Sequence, residues 1–419
     1  MNRKIKIAII GNMNNNGLSL LRYFLDLGFD SHLFTFKGDG KDSLKHFSPQ
    51  SDTWYYDFLA SNIHETTIHD GVYSLIPDLK RLIGRPTKNY LKKLFDGYDF
   101  YIGSGIAPAV LSRVGIRLDI FYPYSVGIEH VGSIPFIKTL ERGSLYGRIT
   151  AKLVFSFQTS ALLQVKYCIC GDYSDTSISY SKLGIRPVRI HTPLVYNKEH
   201  ADEELFSCIL TDALTKIKAF DFCILSHARL MWVNKMNYSS DEWSVYSKNN
   251  DWLIYSFAQF LEIDNSLNAA LVLLEFGPDV TETKELIRTL GIQDNIIWVP
   301  TMDRREILVL IQNCDCVAGE FYNNEKVIFG GVGWETLAIG KPLIHGFLFE
   351  EGEFEGNFSI PEPPIFKVFE KSDILRHLIH IHKNYFSIDQ EVKIKAWFDD
   401  YGGIGLARKW ASMLMNHST

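Results

Sequence analysis

A chain of 419 residues is longer than one hydrophobic core usually organises, so two domains of comparable size are expected. With 46% hydrophobic and 22% charged residues, the composition excludes a disordered or fibrous protein. A formal charge of −6 argues against a nucleic-acid binder, because affinity for phosphate backbones needs a basic surface.

The first residues, with Arg3, Lys4 and Lys6, pass directly into a short apolar run. They lack the longer apolar region and small-residue cleavage site of a secretory signal. No stretch approaches the roughly 20 apolar residues of a spanning helix. The expected location is cytoplasmic, free or at the inner face of the cell membrane.

From there, short apolar runs alternate with longer helical patterns, the signature of βαβ units and parallel sheets. Ile5 to Ile10 reads as a strand ending at Gly11, followed by an Asn-rich loop to Gly17 and an amphipathic helix from Leu18 to Leu27. Further strands are expected at Ser31 to Phe36, Tyr98 to Ile102, Leu118 to Tyr122 and Tyr167 to Cys170, completing a Rossmann-like domain over residues 1–196. The polar stretch 197–218 reads as a linker containing one helix. A second series follows in 219–389, with strands at Phe222 to Ser226, Ala269 to Phe276, Ile296 to Val299, Cys316 to Ala318 and Pro342 to Ile344. Residues 390–419 read as an amphipathic helix that buries Trp397, Phe398, Ala407, Trp410 and Leu414 and can pack back on the first domain. The fold class is therefore α/β, with two domains built on parallel sheets.

The six cysteines include Cys168 with Cys170 and Cys314 with Cys316. Each pair sits in a strand-like run without the Cys-x-x-Cys spacing of zinc sites, so these thiols read as core residues and no metal site is expected.

The most informative stretch is Phe329-Gly330-Gly331-Val332-Gly333-Trp334-Glu335-Thr336-Leu337-Ala338-Ile339-Gly340-Lys341-Pro342. Glycines let a ligand approach the backbone, and free amides at a helix N-terminus favour an anion such as a diphosphate. Glu335 is placed in the first helical turn, where it either caps the helix or accepts hydrogen bonds from sugar hydroxyls. Here the chain resembles retaining glycosyltransferase family 4 and its GT-B relatives, whose second domain carries such a turn, a Glu, and a small-residue helix ending in Gly-Lys-Pro. The resemblance implies two facing Rossmann-like domains and a ribose-binding role for Glu335. It usually adds a second Glu eight positions earlier on the donor sugar; that position is Val327, and Glu320 and Glu325 are the nearby substitutes.

At the start of the second series, Phe222-Cys223-Ile224-Leu225-Ser226-His227-Ala228-Arg229 is a strand leading to an Arg, and Lys248-Asn249-Asn250-Asp251 is similar to the family's Lys-Gly-x-Asp helix start. The resemblance implies that Arg229 and Lys248 grip the donor diphosphate and stabilise its charge as it leaves. The residues between them loop out, and Trp232 and Trp243 are placed to cover the site. Gly277 and Val299, after two strands, are placed beside the nucleotide, with Trp298 open to a core role or to base stacking. In the first domain, the loop ending at Gly17 resembles the one that approaches the donor phosphates, and Glu129 and His130 are candidates near the reacting carbon.

Two basic amphipathic stretches, around Lys80, Arg81, Arg85, Lys88, Lys92 and Lys93 and around Lys138, Arg142, Arg148 and Lys152, fit an anionic membrane or a lipid-linked acceptor, or are solvated helix faces. The activity expected from the resemblance is transfer of a sugar from a nucleotide sugar to a glycan or lipid-linked acceptor, with retention and with neither metal nor cofactor. A nucleotide-sugar epimerase on the same fold and a catalytically idle sugar-binding or scaffold subunit are the alternatives.

Overall fold

A computed structural model describes residues 3–37, 48–68, 87–123, 145–170, 174–234, 243, 247–263, 267–322, 326, 329–384 and 387–416. The chain forms two compact units, one of residues 1–196 with 403–419 and the other of 197–402.

The first unit carries a sheet of seven parallel strands: β1 (Lys6–Ile10), β2 (Asp30–Thr35), β3 (Ile63–Glu65), β4 (Phe100–Gly103), β5 (Ile120–Phe121), β6 (Tyr167–Cys170) and β7 (Val188–Arg189). Their order is β3-β2-β1-β4-β5-β6-β7. The second unit has six: β8 (Phe222–Ser226), β9 (Ala269–Leu274), β10 (Ile296–Val299), β11 (Cys316–Ala318), β12 (Leu343–Gly346) and β13 (Phe366–Val368), in the order β10-β9-β8-β11-β12-β13. All pairings in both sheets are parallel. Parallel strands are covered by helices on both faces, which is why the central ones are nearly unbroken apolar runs. Every residue of β8 and β9 is buried.

Three strands escape the sequence pattern: β3, β7 and β13 have two or three residues each, half-buried at sheet margins, too short to show a period. The stretch 197–218 contains the helix Cys208–Ile217, which Ser207 caps and which buries Leu210, Ala213 and Ile217. The expected last helix is two, Ile388–Tyr401 and Ile404–Met415, separated by Gly402 and Gly403. The chain changes unit at this break. Trp397 and Phe398 pack against Trp334 in the second unit, whereas Trp410 packs against Tyr122 and donates its indole N–H to His191 O (2.9 Å) in the first.

The paired cysteines lie in the cores. Burial pushes the Cys168 thiol up to about 12 and raises Cys314 and Cys316 well above the usual range. Among the described residues no group of three or more His, Cys, Asp or Glu side chains could hold a metal, and no helix is long and apolar enough to cross a membrane.

Candidate functional site

In the second sheet the strand order reverses between β8 and β11, the place where loops leaving neighbouring carboxyl ends part and a ligand crevice opens. His227 and Arg229 leave β8 there, and Glu320 leaves β11. The helix Gly331–Ile339 then begins after Gly330.

Glu335 is the fifth residue of that helix, not a first-turn residue as expected, and no side chain caps the helix. Helical side chains lean toward the N-terminus, so the carboxylate reaches back over the glycine turn. A Cβ built on Gly331 would lie 3.4 Å from Glu335 Oε1. Arg304 Nε donates to that oxygen and His227 Nε2 to Oε2, both at 2.8 Å. A carboxylate only accepts, which places the proton on Nε2. Burial would raise this acid, but the His227 bond and the Arg304 charge outweigh it and hold the carboxyl at about 2.

Glu320 makes a second buried cluster. Lys248 Nζ lies 2.9 Å from its Oε2, and the Tyr322 hydroxyl donates to the same oxygen. Burial opposes ionisation here as well, yet Lys248 and Tyr322 keep the carboxyl below the usual range. A Cβ on Gly330 would lie 3.1 Å from Glu320 Oε2. The adjacent glycines thus lie against the two carboxylates, one each.

Lys248 is delivered by a local device. Asn249, where the related motif has Gly, is left-handed (φ 45°, ψ 44°), a conformation Asn tolerates better than most residues. Its amide donates to Phe321 O (2.7 Å), and Phe321 N donates to Lys248 O (3.2 Å), tying the helix Asn250–Glu262 to the end of β11. His345, buried in β12, faces Tyr322 and Phe329 and donates from Nδ1 to Gly346 O (2.8 Å). Burial lowers its pKa, so the ring stays neutral. His227 Nδ1 and His345 Nε2 are buried with no hydrogen-bond partner among the described residues.

Arg229 is partly exposed and makes no hydrogen bond or ion pair with any described residue. Lys248, expected with it on a diphosphate, pairs with Glu320 in this structure, and its backbone N–H donates to Met231 O (2.7 Å), two residues after Arg229.

The remaining candidates separate from this cluster. Gly333 is a packing glycine, since a Cβ would meet Phe329 Cβ at 2.4 Å. Gly277, at φ +129°, has the Leu230 backbone against it, and a Cβ would lie 2.3 Å from Leu230 O. Val299 ends β10, two strands from β8, with its carbonyl bonded to Glu275 N (2.8 Å). Trp298 carries the Lys284 ammonium over its ring, 5.0 Å from the centroid, and joins the core beneath. Trp232 donates its indole N–H to Thr283 Oγ1 (3.0 Å). Gly17 belongs to the first unit, where a Cβ would lie 2.4 Å from Gly11 O. Glu129, His130 and Glu325 lie outside the described residues, as do Lys80, Arg81, Arg85, Lys138 and Arg142.

His227, Arg304, Tyr322 and His345 were not singled out from the sequence. Arg304 did carry a signal. Arg304 and Arg305 open the helix Arg304–Gln312, where positive charge opposes the helix dipole and needs a carboxylate such as Glu335 to offset it.

No protein-family model matches this sequence, and no curated protein matches it in sequence either. Solved structures do match. HepE of Anabaena, determined with UDP and with UDP-glucose, is similar with a TM-score of 0.56 at 14% identity, over 98% of this chain and 100% of its own. Sucrose-phosphate synthase from Thermosynechococcus elongatus gives 0.53 at 14% identity over 99% of each chain. UDP-GlcNAc 2-epimerase from Methanocaldococcus jannaschii gives 0.50 at 12% identity over 98% and 100%. Identities this low establish the fold, which is that of the GT-B glycosyltransferases, and the epimerase has it too.

Proposed function

We propose that this chain is a glycosyltransferase of the family 4 type, taking a sugar from a nucleotide-sugar donor held in the second unit. The observation that carries the reading is the pair of ionised, buried carboxylates, Glu335 and Glu320, set against the glycine turn at the sheet's switch point, with Arg229, which has no partner among the described residues, on the loop after β8. Carboxylates kept as acceptors suit the hydroxyls of ribose and sugar, and a guanidinium without a partner suits a diphosphate. Arg229 stabilises the charge of the leaving nucleoside diphosphate in place of a metal, and the proposed transfer proceeds without cofactor and, as the resemblance to family 4 implies, with retention. The acceptor is a glycan or lipid-linked glycan, at the inner membrane face in the latter case.

The epimerase reading needs a base strong enough to take a proton from the sugar. Glu335 and Glu320 are both already engaged as hydrogen-bonded anions, the one by His227 and Arg304 and the other by Lys248 and Tyr322, which disfavours that work. The test is a thermal-shift and calorimetric screen of UDP, GDP, ADP, CMP and their common sugars against the wild type, Glu335→Ala and Arg229→Ala. Stabilisation by one nucleotide, lost in both variants, supports the donor site and identifies the base. Conversion of a nucleotide sugar without an acceptor would give the epimerase reading its place, and no response to any nucleotide would leave the idle subunit.

A further inference from the structure

The loop that carries Arg229, buried at Leu230 and Met231 and exposed at Val233 and Asn234, is fastened by residues that follow the neighbouring strand β9. Asp279, fully buried, accepts from the backbone N–H groups of Trp232 (2.5 Å), Val233 (2.7 Å) and Asn234 (3.0 Å). Its own backbone N–H donates to Leu230 O (3.2 Å), and Leu230 N donates to Phe276 O (2.8 Å), so residue 230 is bonded at both ends. Gly277 leaves the space for that approach. Thr283 extends the clasp: its hydroxyl donates to Asp279 O (2.7 Å) and accepts from the Trp232 indole (3.0 Å). Met231 N donates to Asn250 Oδ1 (2.9 Å) on the helix that follows Lys248.

Every backbone N–H from Leu230 to Asn234 therefore has a partner, while the side chain just before this run, Arg229, has none among the described residues. A carboxylate that accepts several N–H bonds at once is strongly bound to its loop, and burying it without them would be costly. The same arrangement fixes where a guanidinium projecting from residue 229 begins. We propose that Asp279 is the positioning residue for Arg229, holding the 229–234 loop so that its cation meets the donor diphosphate already in place. This rests on the transferase reading, and it assigns to a residue remote in sequence the preorganisation that an exposed Arg on a free loop would lack.

The experiment measures binding of inorganic pyrophosphate, which carries the diphosphate charge whatever the base, by calorimetry, together with hydrogen exchange along the chain. Asp279→Asn keeps the side-chain shape but replaces an acceptor with a donor. It is expected to strip protection from the amides of 232–234 and to weaken pyrophosphate by about tenfold, the scale of a lost charged hydrogen bond. In an Arg229→Ala background the same change is expected to cause no further weakening, since a residue that acts through Arg229 has nothing left to position. If Asp279→Asn fails to fold, Thr283→Val removes the acceptor of the Trp232 indole and the donor to Asp279 O while leaving the Asp279 carboxylate on its loop, and should show a smaller loss with the same dependence on Arg229. Wild-type affinity in the folded variant, or an equal loss with and without Arg229, would overturn the assignment while leaving the donor site intact. A wild type that binds neither pyrophosphate nor any nucleotide would end the transferase reading and the assignment together.

Discussion

In the first unit the crevice between β1 and β4 is bordered by Gly11, Asn12, Asn15 and Ser104, whereas in the second the crevice between β8 and β11 holds His227, Arg229, Lys248, Glu320 and Glu335. The strand order around the two is the same, yet the described groups of the first are neutral and spend their hydrogen bonds on one another. Asn12 donates to Asn15 Oδ1 (2.7 Å) and accepts from Leu18 N (2.9 Å), and the Tyr122 hydroxyl donates to Gly11 O (3.4 Å). In the second the two buried carboxylates are each met by a half-buried cation, and among the described residues Arg229 has no such partner. A doubly wound sheet makes the crevice, and the side chains on the loops at its edge set the charge found there.

The comparison is most easily broken at Glu335. Glu335→Ala leaves the buried His227 and the half-buried Arg304 around a missing anion, and it should cost about 3–5 kcal/mol of the second unit's stability in denaturant titration. Loss of that size confined to the first unit's transition would refute the placement of the cluster.

Acid should act on the same group. The carboxyl is held at about 2 when folded, below its ordinary 4.5, so its contribution is present above 4.5 and is lost as pH falls through about 2. A depression of this size corresponds to about 3 kcal/mol. Asp119 in the first unit is shifted upward, mainly by burial, and works in the opposite direction. Unfolding followed by calorimetry from pH 5 to pH 2 should therefore show the second unit weakening, and Glu335→Gln should flatten that dependence.

Two glycines sharpen the contrast at smaller amplitude. Gly17→Ala and Gly277→Ala would each push a methyl against a backbone oxygen, 2.4 Å and 2.3 Å away, and Gly277 has a positive φ in addition. Each should destabilise its own unit by about 1–3 kcal/mol. Gly277→Ala alone is expected also to weaken pyrophosphate, because it displaces the loop before Asp279. Arg229→Ala should move stability least, within about 0.5 kcal/mol, since no described residue pairs with it, while nucleotide affinity falls by about tenfold or more. A large drop in melting temperature for this variant would mean that the guanidinium has a structural partner.

Forces that act over short stretches left marks that can be read in the order of residues. β6, β8, β10 and β11 were readable to the residue, because a parallel strand buried on both faces shows as an apolar run with polar ends. The glycine turn with Glu335 and the start at Lys248 were legible for the same reason, as local motifs whose backbone conformation is set by Gly or Asn. Tertiary structure alone decided the rest. Glu335 meets a histidine 108 positions away and an arginine 31 positions away, and Asp279 clasps a loop 45 to 47 positions upstream. No periodicity carries such pairings, because they are chosen by strand order, which brings the ends of β8, β9 and β11 together. The break at Gly402 and Gly403 was likewise invisible as a change of unit, since both helices show apolar faces and only packing reveals which core each face enters.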